Sequence, residues 1–560
     1  MRRAFTPLFA FPLLAAGILA QPKPAVREAV VAKGGMVVCV SAPAAEVGAA
    51  VLKDGGNAVD AAVAVAFAMA VTWPEAGNIG GGGFMMIGPP GKEPTCIEYR
   101  EEAPGAATEG MFAKGDVSPY SHTVSGVPGT VRGLEKAHKR FGKLPWKRVV
   151  EPAAKLAADG FTMNAVLVRG LNSVLASKNT TNAEFRNAYG KRDGPWKDGD
   201  TLKLPDLAQT LFAIAEQGAD AFYTGEPGRK LVAEMKRGGG LIKNDDLANY
   251  RAVERKPIHV TYRGFDVYGP PPPSSGGIAL AEILNILENF ELNKHDRWSA
   301  EVNHLLIESM KRAYADRAIH LGDPAFTDIP PHLVTKEYAK KLAAGIDREK
   351  AAPSTDLAPE IPLKPEGDST THFSIIDQDG LAVSNTYTLE NSYGSRVVVK
   401  GAGYILNNEM TDFNPVPGVT TKGGQIGTKP NLVAPRKRML SSQTPVLVYK
   451  DGKPVLITGS PGGRTIINTV ACVVVNVVDF GMSPTEAVDA PRLHHQWFPD
   501  VVRFEGTKEH PDLVAKLKTL GHSVAQQRQG DAHTIGIDGQ RGLFLGAADK
   551  RIDGKALGVP

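Results

Sequence analysis

Thr370-Thr371-His372-Phe373-Ser374-Ile375-Ile376-Asp377-Gln378-Asp379-Gly380-Leu381-Ala382-Val383-Ser384-Asn385-Thr386-Tyr387-Thr388-Leu389-Glu390 contains two β-like runs, His372–Asp377 and Leu381–Leu389, joined by a short loop that ends in glycine. That pattern predicts an antiparallel hairpin. With Gln378–Gly380 as the loop, Asp377 faces Leu381, and pairing outward sets Thr370 opposite Thr388. A bulge at Gly380 would shift the pairing by one residue. In the unshifted register two threonines meet on one sheet face, and Glu390 follows Thr388 on that face.

Upstream lies Ala351–Asp368, rich in proline and acidic residues and without helical or strand period. It predicts an exposed, mobile segment ending directly at Ser369-Thr370. Further out, Asn57–Val71 follows Gly55-Gly56 and reads as a buried helix. Trp146–Asp159, Ile278–Phe290 and Glu301–Ala318 read as amphipathic helices. Gly80–Gly83 precedes the short apolar strand Phe84–Ile87. No Lys-Ser/Thr follows those glycines as a phosphate loop needs, so they predict tight backbone packing. Pro270–Pro273 followed by Ser274-Ser275-Gly276-Gly277 reads as a rigid-then-flexible connector. No fixed-period repeat is visible.

The chain has 560 residues, 42% hydrophobic and 22% charged, which fits a globular protein with a large core. The net charge is only +4. The densest basic cluster, Arg436-Lys437-Arg438, is too small for a nucleic-acid footprint and predicts a solvated loop. Cys39, Cys96 and Cys472 lie far apart, which excludes a disulfide framework and a zinc site. Adjacent His494 and His495 point apart in a strand and predict a structural role. Ser460 stands in Gly-Ser-Pro-Gly rather than in a nucleophile elbow. At the start, Arg2 and Arg3 precede an apolar stretch to Ala20, the pattern of a secretory signal peptide over residues 1–20. Pro7, Pro12 and the short length argue against a membrane anchor. The later apolar runs Ala58–Trp73 and Val470–Val478 are too short, or are interrupted by Asp60 and Asn476, and predict core elements. An exported, soluble mature protein is expected.

A threonine hydroxyl is a weak nucleophile that needs a base. At a chain start its own α-amine, with a pKa of about 7.7–8.0, supplies one. A mobile loop ending at Ser369-Thr370 would let the Thr370 hydroxyl attack the preceding carbonyl; hydrolysis of the ester then frees that amine. Threonine pairs are also ordinary in strands, and the hairpin by itself leaves both readings open.

Thr370-Thr371-His372-Phe373-Ser374 with its hairpin and Thr388 resembles the start of the small subunit of the γ-glutamyltransferases, which are N-terminal-nucleophile hydrolases. Further stretches are similar to that family in order and spacing: Asp54–Asp60, Ala76–Phe84, Tyr99–Pro104, Gly126–Thr130, Pro271–Gly277, Asn407–Phe413, Leu440–Ser442 and Gly459–Gly463. The resemblance runs from about Lys33 to near Gly558. It implies an α+β fold, a four-layer αββα sandwich, made by one intertwined domain. Residues 21–369 would form a large subunit and 370–560 a small one after self-cleavage at Ser369-Thr370.

By the same resemblance Thr370 is the nucleophile and Thr388 its hydrogen-bonding partner. Gly462 and Gly463 donate the oxyanion-hole N–H groups. Arg100, Ser441 and Ser442 hold the substrate α-carboxylate. Glu390, Glu409 and Asp412 surround its α-ammonium. The donors implied are glutathione and other γ-glutamyl compounds, with water, amino acids or peptides as acceptors. No metal or other cofactor is required. Pro417–Arg438 stands where many members carry a lid loop; no aromatic residue occurs from Asn414 to Val448. A glutaryl-specific acylase of the same superfamily would lack use for Asp412 and Glu409, and an inactive binding protein would lack use for the intact Thr370, Thr388, Gly462 and Gly463.

Overall fold

The structure is a computed structural model, described for residues 27–115, 117–177, 182–358 and 370–560. Residues 1–20, with the expected signal peptide, and the expected cut beside Ser369 lie outside the described residues, apart from Thr370 itself.

The hairpin forms in the expected register. Thr371–Asp377 pairs antiparallel with Ala382–Thr388, from Thr371 opposite Tyr387 to Ile376 opposite Ala382. One step further places Thr370 beside Thr388. Gly380 takes φ +83°, a left-handed turn that glycine makes without steric cost, and the pairing does not slip. Asp377 fastens the turn end of the hairpin to a helix: its carboxylate accepts from the Ala58 N–H at 2.9 Å.

That helix, Ala58–Thr72, begins where its sequence directs. The Asn57 side chain accepts from the Val59 and Asp60 N–H groups, and the Asp60 carboxylate accepts from the Asn57 N–H, a reciprocal cap.

Both hairpin strands are buried along their length because they lie inside a seven-stranded antiparallel sheet. Its order is Lys555–Val559, Gly35–Cys39, Thr371–Asp377, Ala382–Thr388, Gly82–Gly88, Thr95–Glu98, Val253–Arg255. A second seven-stranded sheet runs Val30–Ala32, Leu543–Ala547, Thr534–Asp538, Lys453–Thr458, Val446–Lys450, Phe265–Gly269, Ile258–Tyr262. Alternation along each strand divides the side chains between two faces. Met36, Val38, Phe84, Met86 and Ile376 of the first sheet meet Leu447, Ile457, Ile535 and Phe544 of the second in a core between them. Val37, Met85, Phe373 and Ile375 turn the other way, onto the helices Ala42–Lys53, Ala58–Thr72 and Trp146–Asp159. Val448 and Leu456 of the second sheet pack toward Gly276–Leu287, Ala300–His320 and Ile466–Val478. The result is the αββα sandwich of the α+β class.

Several local expectations are corrected. Gly276–Leu287 is buried on every side, and Ala300–His320 is buried along most of its length, so neither is a half-exposed amphipathic helix. Further helices, among them Lys336–Ala344 and Pro511–Thr519, pack over them. Pro270–Gly277 is no flexible connector. Ser274 and Ser275 are fully buried, and the Ser275 N–H and hydroxyl both donate to the Ser441 carbonyl at 2.8 and 2.6 Å. In Arg436-Lys437-Arg438 only Arg436 is exposed; Arg438 is buried against Glu98 and Glu102. The described part of the acidic, proline-rich segment is anchored: Ser354 is buried and accepts from the Trp497 indole at 2.8 Å. The three cysteines are buried, and His494 and His495 bond to Asn468 and Asp500 as core residues. Among the described residues no helix is long and apolar enough to cross a membrane.

Candidate active site

Thr370 stands at the head of its strand, 9% exposed, with its hydroxyl 3.4 Å from that of Thr388. The contact is long for two hydroxyls. Thr388 is held on both sides. Its hydroxyl accepts from the Glu390 N–H at 2.8 Å, and its carbonyl accepts from the Asn78 side chain at 2.8 Å. The glycine run explains itself here. A Cβ on Gly81 would lie 2.0 Å from the Thr388 carbonyl oxygen, and one on Gly83 would lie 2.4 Å from that of Thr386. Gly80–Gly83 is thus a packing surface that lets the backbone press against the hairpin.

Gly462 and Gly463 follow the strand Lys453–Thr458 and lead through a 3-10 turn into the helix Ile466–Val478. Their φ angles are +127° and +53°, and a Cβ on Gly462 would strike the Thr465 hydroxyl at 2.4 Å. Glycine is required in both respects. N–H groups at such a helix start face a region of positive potential suited to a developing oxyanion.

Arg100 is fully buried at the centre of an acidic cluster. Its guanidinium lies 2.6 Å from Glu409, contacts Asp412, and lies 3.4 Å from Glu101. The Glu409 contact is an ion pair without hydrogen-bond alignment, so both Glu409 oxygens, like Glu101 Oε1, lack a hydrogen-bond partner. Burial opposes the Arg100 charge, but Glu409, Asp412, Glu101 and Glu390 outweigh it and raise its pKa. The carboxyls respond in kind. Burial pushes Glu101 up to about 7 despite Arg100, and burial holds Glu409 well above the usual carboxyl range. One guanidinium therefore faces more carboxyl groups than it can neutralise.

Ser441 is fixed by its backbone pairing with Pro273 and Ser275 and accepts from the Gln443 N–H at 3.0 Å. The Ser442 hydroxyl accepts from Arg317 at 3.0 Å.

Thr370, Thr388, Glu390, Arg100, Asp412, Ser441, Ser442 and Gly463 all line one pocket. Glu409 and Gly462 do not: Glu409 is sealed behind Arg100, and Gly462 lines a second cavity on the other side of Thr370. The pocket wall also contains Arg317, Asn414, Asn431, Gln443 and Arg464, which the sequence reading missed. Arg317 was hidden in a helix full of ordinary-looking charges. Asn431 belongs to the expected lid segment: it donates to the Asp412 carbonyl at 2.7 Å and accepts from the Leu440 N–H at 2.9 Å. Arg464 ties the same segment down by donating to the Gly424 carbonyl at 2.8 Å.

A threonine at the head of a buried strand, inside two stacked antiparallel sheets between helical layers, defines the class of N-terminal-nucleophile hydrolases. The sequence model described as gamma-glutamyltranspeptidase matches residues 44–559. The chain is 46% identical over 528 residues to a glutathione hydrolase proenzyme of Escherichia coli K12, covering 93% of this chain and 91% of that one. It is 41% identical over 544 residues to a glutathione hydrolase proenzyme of a Pseudomonas species, strain A14, covering 94% of each. A cephalosporin acylase structure from Bacillus halodurans superposes with a TM-score of 0.86 at 27% identity, covering 98% of this chain and all of that one. The chain belongs to the γ-glutamyltranspeptidase family.

Proposed function

We propose that the chain is a precursor that cuts itself between Ser369 and Thr370 and then transfers γ-glutamyl groups through an ester on Thr370. The freed α-amine takes the Thr370 hydroxyl proton as the oxygen attacks the γ-carbonyl of glutathione or a related donor. Thr388 orients that hydroxyl, and the Gly462 and Gly463 N–H groups stabilise the oxyanion. Loss of one such donor raises a barrier by about 2.7–4 kcal/mol. The leaving amine departs with the proton, and water or an amino-acid or peptide amine resolves the ester.

The observation that carries the substrate assignment is the unbalanced cluster around Arg100. A γ-glutamyl group brings an α-carboxylate for Arg100, Ser441 and Ser442, and an α-ammonium for Asp412 and Glu390 with Glu409 behind. The ammonium adds the cation that the buried carboxyl groups lack. A glutaryl group, the other substrate type in this superfamily, offers no such cation, and the carboxyl excess disfavours it. With a signal peptide over residues 1–20, the mature heterodimer of residues 21–369 and 370–560 would work outside the cytoplasm.

The test has two parts. Purified protein should run as two bands on a denaturing gel, and Thr370→Ala should remain one uncut chain without activity. The processed protein should release anilide from a γ-glutamyl anilide far faster than from a glutaryl anilide. Cleavage persisting in Thr370→Ala would sink the mechanism; equal rates on the two anilides would sink the substrate assignment.

A further inference from the structure

A groove of about 390 Å³ runs between the helix Thr130–Phe141 and the chain leading into Val253–Arg255, the outermost strand of the first sheet. That volume suits a small ligand. The groove shares no lining residue with either cavity at Thr370. Arg132, Lys136, Lys139 and Arg140 line it from the helix, because steps of three and four residues return to one face. Arg251 lines it from the strand side. Glu135 and Glu254 are the carboxylates of its wall among the described residues, so five cations face two anions.

Both carboxylates are already engaged. Glu135 is buried, pairs with Arg132 and Lys139, each at 3.0 Å, and accepts from the Ala219 N–H at 3.1 Å. Glu254 lies 3.8 Å from Arg140 and accepts from the Thr95 hydroxyl at 3.2 Å. Lys136 and Arg251 have no carboxylate partner among the described residues. Lys139 and Arg140 also offset the dipole at the carboxyl end of their helix, but Lys136 stands before its last turn and Arg251 outside it. Two guanidiniums are held in place by the protein. Arg132 lies over the Tyr223 ring at 4.6 Å. Arg251 donates through one nitrogen to the Ala248 and Tyr250 carbonyls at 2.7 and 2.8 Å, which leaves its other N–H groups to reach a ligand.

We propose that this groove binds the terminal phosphoryl group of a small phosphate ester or of a lipid headgroup, with Lys136 and Arg251 as its principal contacts. A carboxylate brings one negative charge. A terminal phosphoryl group brings close to two, with three acceptor oxygens, and so answers the excess of cations more fully. The Arg251 fork fits two of those oxygens, and the Lys136 ammonium adds a point charge. The site lies apart from the Thr370 pocket, so the ligand is a second one and not the donor of the acyl group.

The experiment titrates the purified protein calorimetrically with inorganic tripolyphosphate. It also sediments the protein with phosphatidylcholine vesicles that contain or lack phosphatidic acid. Both run at about 0.15 M salt, where screening over about 8 Å suppresses diffuse attraction. Tripolyphosphate should bind one to one. Lys136→Gln with Arg251→Gln should weaken it about tenfold, roughly 1.4 kcal/mol. Lys136→Arg with Arg251→Lys keeps the charge and should retain most of the affinity. Lys340→Gln with Lys341→Gln, on a distant exposed helix face, should change nothing. Sedimentation that depends on phosphatidic acid and is lost in the first double variant assigns the lipid headgroup; tripolyphosphate binding without it assigns a soluble ester. Binding to neither probe, or equal weakening by the distant lysine pair, overturns the site. Turnover of a γ-glutamyl anilide should be the same in all these variants. Because binding is read without turnover, a failure of the γ-glutamyl reading leaves this result standing.

Discussion

Arg100 and Arg438 are both buried guanidiniums set among acidic residues, and they differ in balance. Arg438 and Arg255 face Glu98 and Glu102, two cations to two carboxylates, with Glu98 fully buried between the two arginines. Arg100 alone faces Glu101, Glu409 and Asp412, with Glu390 acting on it from nearby, and it lines a pocket. The first arrangement is complete and holds backbone segments together. The second sets several carboxyls against one guanidinium, beside a pocket that Arg317 and Arg464 also line. Burial alone does not mark a functional charge; the mismatch between burial and neutralisation does.

The largest effect expected from this contrast is on stability at the balanced cluster. Arg438→Met leaves Glu98 and Glu102 with too little cation and should destabilise the protein by about 3–5 kcal/mol, measured by denaturant unfolding. A loss under about 1 kcal/mol would show that the balance is irrelevant. Arg100→Met should cost less stability, because carboxyls already pushed toward protonation can neutralise themselves. Its damage should fall on catalysis instead, with kcat/KM for a γ-glutamyl anilide down about 100-fold, near 2.7 kcal/mol. Equal stability losses in the two variants would break the comparison. Asp412→Asn removes negative charge at the pocket and should shrink the preference for γ-glutamyl over glutaryl anilide about tenfold, read from the kcat/KM ratio.

The smallest effect is the pH dependence. Glu101, raised to about 7, is charged above that pH and neutral below it. Donor KM should therefore rise about threefold as pH falls from 8 to 6, because the attraction for an ammonium fades. The empty protein should show the opposite sign for this group. Between the ordinary carboxyl pKa and 7 the folded state holds the extra proton, so this group's contribution to stability shrinks as pH rises through that window. A donor KM flat across the range would remove Glu101 from the account.

Much of this was legible in the sequence where the signal was local. The Thr370–Thr388 register followed from period-two alternation and one glycine turn, and Trp146–Asp159 forms a helix over the expected residues. The buried helix expected over Asn57–Val71 forms as Ala58–Thr72. What failed depended on partners distant in the chain. Glu308, Lys311 and Arg312 pair at helical spacing just as surface charges do, yet they are buried. Arg438 looked solvated because Glu98 and Glu102 lie far upstream. Ser274 and Ser275 looked flexible because nothing nearby revealed the Ser441 carbonyl they bind. Most residues named through the resemblance line one pocket with Thr370, whereas Arg317, Asn414 and Asn431 emerged only from the assembled fold.

The strand order has a consequence for the order of events in the molecule's life. Strands from before and after Thr370 sit side by side within both sheets: Thr371–Asp377 lies beside Gly35–Cys39, and Val446–Lys450 lies beside Phe265–Gly269. While the chain is whole, bringing these neighbours together is a unimolecular search. Once it is severed, the same search becomes a bimolecular encounter between two pieces, neither of which carries a complete sheet. Scission would thus act as a ratchet: assembly must precede it, and a severed molecule that later unravels would regain its shape only at a rate that depends on protein concentration.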